Sequence, residues 1–221
     1  MRGRRSGVAT LLGAASVVMA STGPASSQTS TGLDAAVRNY PPPIIGANTR
    51  VTDGNGPFAR PCPDGGSVRQ TNGTVTVYQG ATLGHPALCL MRIGGMAVQA
   101  WYGIWLTTWP GANQAAVAMD HLIHGRTGDM EAFDVRLGST FSFHDVMRND
   151  GVESIRLLGR TYQALKLSHY REGADGNIYR SVTTGWKDLA TGMLLYVTYQ
   201  HIAGAPEIGV PLLPAAIDPG P

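Results

Sequence analysis

The chain has 221 residues, with 17 Lys and Arg against 15 Asp and Glu, a formal net charge of +2 at pH 7. Arg2, Arg4 and Arg5 lie in the first 28 residues with no acid beside them, so the remainder sets 14 bases against 15 acids and offers no basic surface for nucleic acid. Charged residues make up only 14% of the chain, which also carries 29 Gly and 14 Pro, a balance that favours turn-rich β structure over long solvated helices.

The basic start is followed by an apolar run from Val8 to Ala20 and a small-residue patch from Ser21 to Ser27. This three-part layout predicts a signal peptide over residues 1–28. Its apolar run is shorter than the ~20 residues a membrane span needs. No Cys follows either plausible cut, after Ala20 or after Ser27, which argues against a lipid anchor. The expectation is an exported protein, periplasmic or secreted, with no transmembrane segment in the mature chain. Residues 29–61, rich in Ser, Thr, Gly, Asn and Pro, read as a linker or wrapping arm anchored by Ile44 and Ile45. Cys62 and Cys89 are the two cysteines, and export makes a disulfide between them the expected state.

Residues 62–205 read as a single β-rich domain, and the Pro-rich tail, 206–221, as lacking regular structure. Thr74 to Tyr78 alternates as a strand. Ala87 to Ile93 and Met96 to Thr107 form two more around Gly94-Gly95, a hairpin signal. Trp109-Pro110-Gly111 breaks the sheet. Ala115 to His124 then reads as a helix with Asn113 as N-cap, Ala116, Met119 and Ile123 on its packed face, and Gly125 as its stop. A meander follows: Thr140 to Met147, the turn Asn149-Asp150-Gly151, Val152 to Leu158, Thr161 to Arg171, Asn177 to Lys187, and Met193 to Ala203. The expected fold is mainly β (α+β), a curved antiparallel meander sheet or half-barrel packed on one short helix.

Alternation assigns faces. With Gly173 to Gly176 and Asp188 to Gly192 as hairpin tips, Val182 lies between Leu167 and Tyr199, and Arg180 between His169 and His201. An apolar face then ends in a polar row, His169–Arg180–His201, able to hold an anionic group at the mouth of a cavity or to form a solvated rim. Trp101, Tyr102, Trp105 and Trp109 form an aromatic group suited to a core or to a ligand wall. Asp120, His121 and His124 have helical spacings that can hold a metal or make a polar face. No Gly-x-Ser-x-Gly elbow, His-Glu-x-x-His pair or Gly-rich phosphate loop occurs, so no cofactor is expected.

The segment Gly185-Trp186-Lys187-Asp188-Leu189-Ala190-Thr191-Gly192-Met193-Leu194-Leu195 resembles the strand, Asp-x-x-Thr-Gly turn and strand of periplasmic half-barrel proteins of the lipoprotein-carrier type. With the preceding Gly159 to Tyr170 strand, the resemblance extends over residues 139–204. It implies a sheet enclosing an apolar cavity for acyl chains, with Leu167, Val182, Trp186, Val197 and Tyr199 facing the cavity or core. The expected function is non-enzymatic binding of a lipid or other apolar ligand, or envelope assembly, with Arg180, His169, His201, Trp186 and Tyr199 as ligand-binding candidates. The alternative is a secreted hydrolase or metal-dependent enzyme built on the His cluster.

Overall fold

The structure, a computed structural model, describes residues 59–139, 141–205 and 211–220. The signal-peptide segment and most of the 29–61 arm lie outside the described residues. The described chain is mainly β, with strands β1 (Ser67–Gln70), β2 (Val75–Thr82), β3 (His85–Ile93), β4 (Met96–Trp101) and β5 (Trp105–Leu106) ahead of the single described helix, α1 (Ala112–His124). After it come β6 (Met130–Leu137), β7 (Phe141–Leu157), β8 (Arg160–Ala174), β9 (Arg180–Asp188), β10 (Leu194–Ala203) and β11 (Pro214–Asp218). The expected mainly β, antiparallel fold with one short helix is what the described residues form, with the strands divided between two sheets, β11-β1-β2-β3-β4-β5 and β10-β9-β8-β7-β6.

The sheets pack face to face through Cys62, Val68, Cys89, Met91, Met193 and Leu195. The helix fills the space beside this contact. Its Ala115, Ala118, Met119 and Leu122 meet Tyr102 and Trp105 of the first sheet and Met147, Leu165 and Leu167 of the second. Met119 and Ile123 are buried as expected, while Ala116 is only half-buried and Leu122 takes its place. The helix begins earlier than its periodicity suggests. Gly111, in a left-handed conformation, takes the N-cap position in place of Asn113. A side chain there would run into Val135, so only Gly lets the helix start close to β6.

Three readings of the sequence are corrected. Asn149-Asp150-Gly151 is a bulge within one 17-residue strand and not a turn. Asn149 Oδ1 accepts the Gly151 N–H at 2.8 Å, while Asn149 Nδ2 donates to Leu122 O at 2.7 Å, so the Asn closes the helix end as it kinks the strand. The tail has regular structure: β11 pairs with β1, and Ile217 opposite Val68 joins the inter-sheet core. Pro214 is tolerated because it opens an edge strand.

The third correction concerns register. Leu167 pairs with Gly185, His169 with Thr183, and Val182 with Tyr170. Across the next pair, Val182 faces Gln200 and Arg180 faces Ala203. The β8–β9 connection is longer than its Gly-x-x-Gly tip, because Gly173 N–H bonds to Tyr179 O and Tyr179 N–H to Asn177 Oδ1. The resulting three-residue offset is odd. It puts Val182, Trp186 and Arg180 on the opposite face from Leu167 and His169.

Cys62 and Cys89 form a disulfide. Beneath it lies Lys187, fully buried, whose Nζ donates to Pro61 O at 3.1 Å, to Tyr102 O at 2.8 Å and to Gly192 O. Burial pushes its ammonium down to about 7, and the charge of Asp188 opposes that shift. Three carbonyls match the three N–H donors of the charged form. Asp188 holds the following turn by accepting from Thr191 N–H at 2.9 Å and Thr191 Oγ1 at 2.7 Å. Gly192 completes it, since a Cβ there would sit 2.7 Å from Arg60 O. Replacing Lys187 by Met leaves three carbonyls without a donor. At about 1 kcal/mol or more for each, Lys187→Met should lower stability by about 3 kcal/mol, and an unchanged urea midpoint would contradict the role assigned to it.

Candidate functional site

The inner face of the second sheet is covered by α1 and the first sheet over only part of its area. Beyond that contact lies a cavity of about 480 Å³. Its roof is Ile104, Trp105, Trp109 and Pro110, from β5 and the turns around it. Its floor is the second sheet. Val135, Leu137 and Phe143 form one end, on β6 and β7, while Leu194, Val197 and Leu212 form the other. Leu212 is placed by a two-way backbone bridge to Val197, with both N–H···O distances 3.0 Å, so the C-terminal segment supplies one wall.

Between these apolar ends lies a polar strip: His169 and Arg171 on β8, Ser181 and Thr183 on β9. Register explains it. Arg171 pairs with Ser181 and with Asp145, and His169 pairs with Thr183. Asp145 is fully buried below the strip. It accepts from Arg171 Nε at 2.9 Å and Nη2 at 2.8 Å, and His169 Nε2 lies 3.2 Å from Oδ2. Burial alone would raise the Asp145 pKa, but the hydrogen bonds and charges of Arg171 and His169 overcome it and hold it at about 2. Around the strip the rings meet edge to face: Trp105 with His169 at 5.2 Å and with Trp109 at 5.7 Å, and Phe143 with Tyr179 at 5.7 Å. Arg171 lies over Phe143 at 5.0 Å.

Glycine shapes one end of the cavity. Gly185 lies within β9 and lines the floor, and a Cβ there would come within 3.1 Å of Leu194 Cδ1. A strand-interior glycine weakens the strand, and its gain is open space against the backbone.

The candidates from sequence are divided between the two faces. His169 lines the cavity. Tyr199 and His201 pair with Thr183 and Ser181 and so share that face, where Tyr199 Oη lies 3.2 Å from Tyr179 Oη. Arg180 and Trp186 do not. Arg180 pairs with Glu172 at 2.8 Å, and Trp186 donates to Glu153 beneath Tyr196 on the other face. The arginine at the cavity is Arg171. Of the residues drawn into the cavity or core by the resemblance, Leu167 and Val197 line the cavity, while Val182 packs with Val146 and Tyr170 on the other face.

The helix cluster does not converge on one point, although His124 Nδ1 lies 3.5 Å from Asp120 Oδ1. His121 Nδ1 meets Glu131 at 3.0 Å, His124 Nδ1 donates to Asp120 O at 2.8 Å, and Asp120 accepts from Tyr102 Oη. Burial and Asp120 both push the Tyr102 phenol pKa upward. Among the described residues, no three His, Cys, Asp or Glu side chains converge as metal ligands. In the aromatic group, Tyr102 and Trp105 belong to the core with Trp101 packed against it, and Trp105 and Trp109 form the cavity roof.

Asp145, Arg171, Thr183 and Gly185 were missed from sequence. Arg171 continues the Leu167–His169 parity, and Gly185 interrupts an otherwise good strand; both were legible signals. Asp145 was not, because only its strand partners reveal that a lone carboxylate is buried.

The Asp145 pKa is depressed in the folded state, so its contribution to stability is fully present above the ordinary carboxylate value near 3.8 and is lost as pH falls through about 2. Wild type should therefore lose about 2 kcal/mol from this group between pH 4 and pH 2. Asp145→Asn should be less stable at pH 7 and should show a correspondingly flatter stability profile over that interval, measured by urea unfolding.

No protein-family model matches the sequence, and no curated protein matches it significantly. Among solved structures, the hypothetical lipoprotein YmcC from Escherichia coli K12 aligns over 88% of this chain and 95% of its own length, at 12% identity and a TM-score of 0.41. That is a distant structural relationship, and it carries no argument about function.

Proposed function

We propose that the protein is an exported, non-enzymatic binding protein that holds an elongated, largely apolar molecule in the cavity between the second sheet and the Trp105–Trp109 roof. The observation that carries this reading is the cavity itself: about 480 Å³, walled at both ends by aliphatic and aromatic side chains, with the polar side chains of its floor gathered in one strip. That size and that ratio of apolar wall to polar points are typical of small-molecule sites. Export rests on the basic and apolar start of the sequence and agrees with the Cys62–Cys89 disulfide, a bond that persists in oxidising compartments. No described helix is long and apolar enough to cross a membrane.

Gly185 offers a direct test. N-phenyl-1-naphthylamine, an uncharged probe whose emission rises in apolar surroundings, should bind the wild-type protein saturably with one site per chain. Gly185→Leu places a side chain in the space beside Leu194 and Val197. Forcing extra methylenes into a filled space costs about 1–3 kcal/mol, so probe affinity should fall by roughly tenfold or more while the circular dichroism spectrum is retained. Non-saturable probe emission, or equal affinity in the two proteins, would overturn the reading.

A further inference from the structure

The cavity has its polar groups in the middle. Its two apolar ends are built on opposite edges of the second sheet, by Val135 and Leu137 on β6 and by Val197 on β10. Those strands are four spacings apart, about 19 Å at roughly 4.8 Å for each. His169, Arg171, Ser181 and Thr183 lie on β8 and β9, two of the three strands between. A site that anchored a terminal head group would carry its polar side chains at one end or at the mouth. Here a ligand long enough to touch both ends passes its midpoint over the strip.

The strip's own chemistry narrows that midpoint group. Arg171 is charge-balanced by Asp145 through two hydrogen bonds. A ligand anion would therefore meet an arginine that is already matched, and burying a charge without a partner is costly. Ser181 accepts from Tyr179 Oη at 2.9 Å and is itself buried. Thr183 is different. It lines the cavity half-buried, opposite His169, and makes no side-chain hydrogen bond with a described residue apart from its place in the strand ladder. Its hydroxyl can donate to an uncharged acceptor.

Resting on the binding reading above, we propose that the ligand carries an uncharged hydrogen-bonding group, of the ester, amide or ketone type, near the middle of its length, flanked by two apolar arms, and that Thr183 is the residue that selects it. The apolar arms lie toward Phe143 and Leu137 on one side and toward Val197 and Leu212 on the other.

Two isomeric esters test the placement. Pentyl hexanoate and methyl decanoate have the same atoms, but the first carries its ester centrally and the second at one end. In displacement of N-phenyl-1-naphthylamine at pH 7.5, the central ester should bind the wild-type protein roughly 2- to 12-fold more tightly, the range of one net hydrogen bond. Thr183→Val, nearly isosteric and suited to a strand, should remove that preference by weakening the central ester relative to methyl decanoate. Equal affinities in the wild-type protein, or tighter binding of methyl decanoate, would overturn the central placement, and this comparison needs no variant. A preference that survives Thr183→Val would overturn the role of Thr183. Saturable probe binding that neither ester displaces would overturn the proposed ligand class while leaving the cavity reading intact. Absence of saturable probe binding would overturn the cavity reading and this inference with it.

Discussion

The position of Lys187 constrains the rest of the structure. A buried ammonium needs acceptors for three N–H groups, and it takes them from three separate stretches of chain: Pro61 beside the disulfide, Tyr102 after β4, and Gly192 in the β9–β10 turn. Satisfying one side chain thus joins the first sheet to the second at one end. Tyr102 extends the connection to α1 through its hydroxyl and Asp120. The disulfide holds Pro61 in reach, and the Asp188–Thr191 turn holds Gly192. Beside this pin the second sheet's inner face is covered only by the Ile104–Pro110 segment, and the space left beneath that segment is the cavity.

The two faces of the second sheet handle polar groups differently. On the inner face, Asp145 and Arg171 balance each other beneath an otherwise apolar space, with His169 beside them. On the other face, charges are set among rings: Lys166 lies 5.6 Å from the Trp186 ring centre, Arg148 lies 5.4 Å from that of Tyr170, and Trp186 donates to Glu153. Both faces contain Arg, His or Trp side chains able to serve a ligand. Only register decides which of them meet a cavity.

Local signals were legible and non-local ones were not. The Gly94-Gly95 hairpin, the helix with Met119 and Ile123 inward, and the Cys62–Cys89 bridge all follow from short-range pattern or compartment chemistry. Strand β6 was missed although Phe133, Val135 and Leu137 alternate with Asp134 and Arg136; it is held by pairing with β7. Strand β11 was missed because the prolines of the tail around it read as irregular. The candidate site suffered most, since one hairpin tip three residues longer than assumed exchanges Arg180 for Arg171 at the cavity. Parity along β8 was read correctly, which is why His169 survives as a cavity residue. Parity between strands depended on Asn177 and Tyr179 folding back against Gly173, an arrangement no periodicity announces.

The cavity reading is tested most directly by a methyl-resolved NMR titration with N-phenyl-1-naphthylamine. Methyl resonances of Val135, Leu137, Val197 and Leu212 should shift together and saturate at one equivalent, while those of the exposed Leu83 and Leu158 and of the inter-sheet core residue Val68 stay in place. Shifts confined to Leu83 and Leu158, or growing without saturation, would show that the probe collects on the surface and that the space above His169 and Thr183 is not a binding site.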